Sequence, residues 1–277
     1  MSLVVVVKVS EGLVLAADRA ATIQGTIETP NGPQQGILKT YYNARKLLQI
    51  GDFPIGVLTW GQAIVGMRTI ESIVRQWEYD EHWQSMEDYK ECYGKDEFSV
   101  EECAEHLRNH VARVYREEFG DQTPLLGILV AGYSYRGFFP EIWRFLLPED
   151  LDNQVHNQRP DVDGQPAFGA SWYGATDAIV RLHFGRDERA LQLIADRYEL
   201  DLSELMDMMK PLEYSVPFPV MPLQDAIEYA EYLVGVSIGR YRFVIGPEIC
   251  GGDIDIAAIT ENRFNWIKRK TWSLTKD

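Results

Sequence analysis

The chain has 277 residues, of which 45% are hydrophobic and 25% charged, an ordinary balance for a soluble globular protein with a substantial core. Its 27 basic and 42 acidic side chains leave a net charge of −15. That argues against nucleic acid or an anionic membrane as partner, since both select clustered Lys and Arg. Cys92, Cys103 and Cys250 are too few to build a disulfide framework, which fits a reducing, cytoplasmic setting; no apolar run reaches the ~20 residues of a membrane span.

Leu3 to Val7 starts like a secretory core, but Lys8 and Glu11 interrupt it and no basic segment precedes it. It is expected to be a β-strand, paired across Ser10-Glu11-Gly12 with a second strand at residues 13–17. Both runs are apolar at successive positions, so both faces should be buried. Residues 23–45, with Gly25, Pro30, Asn31, Gly32, Pro33 and Gly36, fit a long loop or an extended hairpin. A second strand pair is expected at 46–50 and 55–59. A helix is expected from about Gln62 to Trp77, carrying Ile64, Val65, Met67, Ile70, Ile73 and Val74 at helical spacing.

Residues 78–105 hold eleven acidic and two basic side chains, the pattern of a solvated loop and helix start; a docking surface for a basic partner is the alternative. Ser99 with Glu102 forms a capping-box signature. The helix that follows carries Val100, Cys103, Leu107, Val111 and Val114 on one stripe and should end near Gly120. Residues 125–134 and 138–146 suggest another hairpin, 148–167 a loop, and 168–173 a short strand leading into a helix from about Ala175. Further helices are expected at 201–210 and 223–238, and strands at 241–245, 254–260 and 263–268. Strands and helices segregate along the chain, which argues for an α+β layered fold with two packed sheets rather than a doubly wound one.

Few residues carry an obvious chemistry. Glu102, His106 and His110 have helical metal-ligand spacing, but lie beside the apolar stripe in a charged region, as expected of a solvated face. His82, His156 and His183 are scattered. Ser134 and Ser171 lack a GxSxG elbow, and no P-loop or GxGxxG occurs. Ser2 differs. Removal of Met1 would place a hydroxyl and a free α-amine on one residue, and an amine titrating near ~8 can take the hydroxyl proton. Such a nucleophile needs a nearby cation, a carboxylate to orient it, and N–H donors for the oxyanion.

The segment from Ser2 through Lys8, Gly12, Leu13-Val14-Leu15-Ala16-Ala17-Asp18 to Ala21-Thr22 resembles the N-terminus of proteasome-type β-subunits of the N-terminal nucleophile hydrolase superfamily. Matched without gaps, Ser2 falls at the family's nucleophile, usually Thr. Asp18 resembles the carboxylate beside the catalytic Lys, and Lys46, opening Lys-Leu-Leu-Gln-Ile, resembles that Lys. Thr22 resembles the residue whose backbone pairs with a substrate strand. Thr59-Trp60-Gly61 resembles the oxyanion turn, with Gly61 chosen although a gapless match gives Trp60. The loop before Lys46 is longer than is usual. Ile128 to Tyr133 and Gly251-Gly252 to Thr260 resemble later family strands. With no extension before the first strand, the chain looks like the β type or a bacterial relative of it.

The resemblance implies one domain over residues 1–277, a four-layer αββα sandwich, and peptide-bond hydrolysis by Ser2, Lys46 and Asp18 with no metal or cofactor. It also implies self-association into a ring, with any ATPase or regulatory partner left open. The pattern departs from the family in two places. Tyr173-Gly174-Ala175 stands where active members have Ser-Gly-Ser. Pro247 and Cys250 stand where they have an Asp and a Ser, and Glu248 could substitute only with a shift. These departures favour the competing class, a non-catalytic ring-forming or scaffold subunit; an amidase acting on a small amide is a third. Retention of Met1 would remove the amine base at Ser2.

Overall fold

The computed structural model describes residues 2–29, 32–93, 97–120 and 122–271. The chain opens with β1 (Leu3–Val9) and β2 (Gly12–Asp18), every residue of both strands buried. Residues 21–29 and 32–41 pair as a two-stranded ribbon, β3 (Ala21–Thr29) and β4 (Gly32–Tyr41), so the extended hairpin is the alternative realised. There follow β5 (Leu47–Gln49), β6 (Ile55–Gly61) and the two-residue strands β7 (Ile64–Val65) and β8 (Arg68–Thr69). Then come α1 (Ile70–Asp80), α2 (Met86–Tyr93), α3 (Val100–Phe119), β9 (Leu126–Gly132), β10 (Glu141–Leu147), β11 (His156–Asn157) and β12 (Gly169–Gly174). The chain continues through α4 (Asp177–His183), α5 (Glu188–Tyr198), α6 (Leu202–Met209), α7 (Leu223–Phe243), β13 (Ile254–Thr260) and β14 (Arg263–Lys268).

Two antiparallel five-stranded sheets result, in the orders β12-β1-β2-β13-β14 and β11-β10-β9-β6-β5. Side chains alternate across a strand, and the buried residues sort accordingly into three apolar layers. Val4, Val6, Leu13, Leu15 and Leu58, Leu129 meet between the sheets. Val5, Val7 and Val14 face Ala226, Ala230 and Val234 of α7 and Ile179 of α4. On the other outer face Val57, Ile128 and Val130 meet Ile73 and Trp77 of α1 and Leu107 and Val111 of α3. This is the expected four-layer αββα sandwich. It explains why β1 and β2 are apolar at nearly every position, Lys8 and Asp18 excepted: each is covered by the second sheet on one side and by α7 on the other.

Several elements differ from expectation, among them α2, a helix with Tyr89 buried where a solvated loop was expected. The helix expected from Gln62 starts at Ile70, because Ile64-Val65 pairs with Arg68-Thr69 as a small hairpin and Thr69 then caps α1, its side chain accepting the Ser72 amide. Local pairing overrode a helical period that happened to run through the turn. Tyr241–Phe243 belongs to α7 rather than a strand. Gly239 alone is not enough to end the helix, and Arg240 and Arg242 in its last turn favour the C-terminal dipole. Helix α5 was not anticipated, although Asp187 caps it by accepting the Arg189 and Ala190 amides, and Leu191 and Ala195 supply its buried i,i+4 pair.

The β12–β1 pairing also fixes the start of the chain. Leu3 pairs with Gly174, and the Ala175 N–H donates to the Ser2 carbonyl at 2.8 Å. Gly174 has φ +98°, and a Cβ there would sit 1.8 Å from that carbonyl oxygen. Gly174→Ala is therefore expected to lower stability by at least the about 1–3 kcal/mol of backbone strain, and to displace Ser2. A thermal melt of the variant within a degree or so of the parent would contradict this placement.

Candidate active site

Asp18 lies at the end of β2 with its carboxylate fully buried. Four N–H donors surround it. Oδ1 accepts the Leu3 N–H at 2.8 Å and the Lys46 Nζ at 2.6 Å; Oδ2 accepts the Ala20 and Gly251 N–H groups, each at 3.0 Å. Lys46, just ahead of β5, is itself buried. A carboxylate taken out of water is tolerable only when its lone pairs are occupied and its charge is matched, and both conditions are met here.

Ser2 immediately precedes the strand whose first amide is tied to Asp18, and it is 5% exposed. Ser2, Thr22, Lys46 and Gly61 all line one cavity of about 260 Å³. The five residues singled out in the sequence are thus brought to one place, four at the cavity wall and Asp18 behind it. Met1, whose removal would free the Ser2 amine, lies outside the described residues. Gly61 closes β6 at φ +87°, and a Cβ there would meet the Leu125 carbonyl oxygen at 2.3 Å, so glycine is required at this turn. Trp60, the alternative at the same turn, also lines the cavity; its ring stacks on Tyr173 at 4.5 Å between centroids.

The wall opposite Lys46 is largely apolar, with Ala21, Ile23, Ala63, Ile64 and Ile70, and an Arg45–Glu71 ion pair of 2.8 Å also borders it. A second cavity of about 430 Å³ adjoins the first and shares Thr22, Ile23 and Gly61 to Ile64 with it. Together they form a trough between the root of the β3–β4 ribbon and the chain leaving β6. Arg19 braces the trough from beneath. Its guanidinium is buried, pairs with Asp255 at 3.4 Å and donates to the Asn43 carbonyl, while its own carbonyl accepts the Ala44 N–H. Burial raises the Asp255 pKa, and Arg19 works against that rise.

Cys250 is the residue that sequence reasoning undervalued. It appeared only as a mismatch, yet it is buried beside Asp18 and its thiol hydrogen-bonds that carboxylate. Burial pushes its pKa well up, and the Asp18 charge and hydrogen bond add to the rise although Lys46 opposes it, so it is a neutral thiol donor. Glu248 does not substitute: its carboxylate accepts from the Tyr42 hydroxyl in an exposed position. The Tyr173-Gly174-Ala175 segment supplies the amide that holds the Ser2 carbonyl, and the Tyr173 hydroxyl turns away to Gln158 at 2.7 Å.

The Glu102, His106, His110 row disperses among separate partners. Glu102 accepts from Tyr89, His106 sits against Tyr93 and Glu81, and His110 approaches Arg113. His110 is buried rather than solvated, and burial followed by Arg113 lowers its pKa. Among the described residues no helix is long and apolar enough to cross a membrane.

No protein-family model matches this chain, and no curated protein matches it in sequence. Among solved structures it is similar to Anbu (ancestral beta-subunit) from Yersinia bercovieri, with a TM-score of 0.54 and 14% identity over 97% of this chain and 88% of that one. At that identity the likeness is one of fold, and the fold is proteasome-related.

Two outcomes are expected. Asp18→Asn strands the buried Lys46 ammonium, and breaking such a pair costs about 3–5 kcal/mol, measurable as a fall in denaturation midpoint; an unchanged midpoint would mean that Lys46 has another partner. In the folded protein a thiol reagent should titrate exposed Cys92 rapidly and spare buried Cys103 and Cys250, with all three reacting in denaturant.

Proposed function

We propose that this chain is a proteasome-like endopeptidase subunit that activates itself by losing Met1 and hydrolyses peptide bonds with Ser2. The observation that carries the proposal is the buried Lys46–Asp18 pair beside Ser2, opening onto a cavity bordered by Gly61. With Met1 removed, the α-amine takes the Ser2 hydroxyl proton and Oγ attacks the carbonyl. Lys46 supplies positive charge next to the nucleophile, which favours the alkoxide and keeps the amine neutral. Asp18 fixes Lys46 in place and, through the Leu3 amide, the backbone that carries Ser2. N–H groups at the Gly61 turn stabilise the oxyanion. The amine returns the proton to the leaving amide nitrogen, and water then hydrolyses the acyl-enzyme ester. Thr22, at the root of the ribbon, is placed for a backbone pairing with an extended peptide in the trough. The apolar wall suits an uncharged side chain next to the scissile bond. Self-association into a ring belongs to the same proposal, supported by the likeness in fold to a protein described as a beta-subunit.

A second interpretation is favoured by one specific feature. Tyr173, Ala175 and Cys250 provide a phenol turned elsewhere, a methyl group and a weakly donating thiol around Ser2 and Asp18. That shell is poor in hydroxyl groups able to relay a proton, as in a scaffold subunit that keeps the fold without turnover.

Intact mass of protein from its own cells, followed by incubation with a β-lactone or epoxyketone, separates the two. The peptidase proposal expects loss of Met1 and one adduct on Ser2, abolished in Ser2→Ala and lowered by at least about a hundredfold in rate in Lys46→Ala. Met1 retained in native material, or processed protein without an adduct, would overturn it in favour of the scaffold.

A further inference from the structure

The cavity beside Ser2 carries one charged feature that the proposed hydrolysis does not use. Arg45 and Glu71 both line it, and their side chains meet at 2.8 Å. Arg45 immediately precedes Lys46, and Glu71 stands in the first turn of α1. Both are largely withdrawn from water, at 21% and 29% side-chain exposure. The rest of the wall adds no uncompensated charge. Ala21, Ala44 and Ala63 are small, Ile64 and Ile70 are apolar, and Lys46 is matched by Asp18.

Size and charge together define what fits. The three alanines leave space that larger side chains would fill. An apolar cavity of about 150 Å³ already admits benzene, so one of about 260 Å³ accommodates a whole aromatic or branched aliphatic side chain. The ion pair decides the charge. A substrate carboxylate entering here would compete with Glu71 for Arg45 and be repelled by Glu71; an ammonium would meet the converse. A charge that leaves water and finds its partner already taken is penalised. The surroundings are not symmetric, however. Burial, then Arg45, lowers the Arg269 pKa, while Asp255 and Glu71 oppose the shift, so Arg269 is a second cation within electrostatic reach of Glu71.

We propose that the Arg45–Glu71 pair sets the specificity of this subsite: it selects peptides whose residue before the scissile bond is large and uncharged, such as leucine or phenylalanine, and excludes acidic and basic ones. Each partner cancels the attraction of the other. Removing Glu71 takes that carboxylate from Arg45, with Arg269 nearby, and opens the site to an acidic side chain. Removing Arg45 leaves Glu71 still near Arg269, so the opening to a basic side chain is weaker. The inference rests on the proposed hydrolysis for the bond that is attacked, but the fit of a side chain to the cavity does not require turnover.

Four peptides that differ only in that residue, Leu, Phe, Asp or Lys, form the probe set. Turnover is measured as kcat/KM on the whole chain with Met1 removed, and binding by calorimetry on Ser2→Ala. The Leu and Phe peptides are expected to exceed the Asp and Lys peptides at least about tenfold. Glu71→Gln should raise the Asp peptide at least about tenfold relative to Leu, and Arg45→Met should raise the Lys peptide by less. Exchanging the pair, Arg45→Glu with Glu71→Arg, should restore the parental order. Equal use of all four peptides by the parent, neither turnover nor binding of any, or an unchanged order in both folded single variants would each overturn the proposal. Binding in the expected order without turnover or a Ser2 adduct would remove the hydrolysis and support the subsite; turnover without that order would do the reverse. The parental order decides the matter even if the single variants do not fold.

Discussion

The Asp18 carboxylate is the point on which the rest of this structure converges. Its two oxygens are shared among a strand amide at the head of β1, the ammonium before β5, an amide at the root of the ribbon and one in the loop leading to β13. The most distant of those four groups lies 233 positions from Asp18 in the chain. Leaving any one unpaired would strand a buried polar group, at about 1–3 kcal/mol for a neutral donor and more for the ammonium. One side chain therefore imposes the relative position of four segments, and the cavity that Ser2 and Lys46 share is a consequence of that constraint.

The surrounding layers supply the rigidity that such a centre requires. Because β1 and β2 are buried on both faces, neither can slip in register without exchanging its two apolar faces and losing contacts on both sides. Ser2 is held by Ala175 through its carbonyl and by its peptide link to Leu3, whose amide is bound to Asp18. Lys46 is anchored from the opposite side, since its carbonyl accepts the Thr59 N–H of β6 and the nearby Asn43 and Ala44 are tied to Arg19. The nucleophile candidate and its cation thus belong to different sheets, and their spacing is set by how the two sheets pack.

Much of this was legible in the sequence, and the physical reasons are specific. Strands buried on both faces announce themselves as unbroken apolar runs, so β1, β2, β6 and β9 were evident. The Ser99 cap and the Gly120 stop bracket α3, where the observed ends fall. Legibility failed where a local period agreed with two structures. Ile64, Val65 and Ile70 satisfy helical spacing but are divided between a two-residue hairpin and α1. The apolar-aromatic run at 241–245 resembles a strand, yet the backbone continues a helix that no residue interrupts. At the site, Asp18 and Lys46 could be picked out only as part of a longer pattern, since a lone Asp or Lys has no distinctive local signal. Cys250 was invisible because its significance lies in a contact with Asp18 across 232 positions.

The two ends of β1 show how one strand can hold opposite electrostatic solutions. At its start a buried carboxylate is satisfied by protein donors, four N–H groups and the Cys250 thiol converging on two oxygens. At its far end the Lys8 side chain runs between the sheets and its ammonium reaches the edge of a cavity lined also by Glu141, Arg159 and Asp161. The first arrangement is rigid and self-contained, as a site must be if its geometry is to be preset before a reaction. The second makes no demand on the chain, because a charge at the open edge of a cavity keeps part of its hydration. The contrast does not arise from burial, which is nearly equal for Asp18 and Lys8. It arises from surroundings: Asp18 lies where chain segments cross and their free amides point inward, whereas Lys8 lies at a sheet margin that opens onto the cavity.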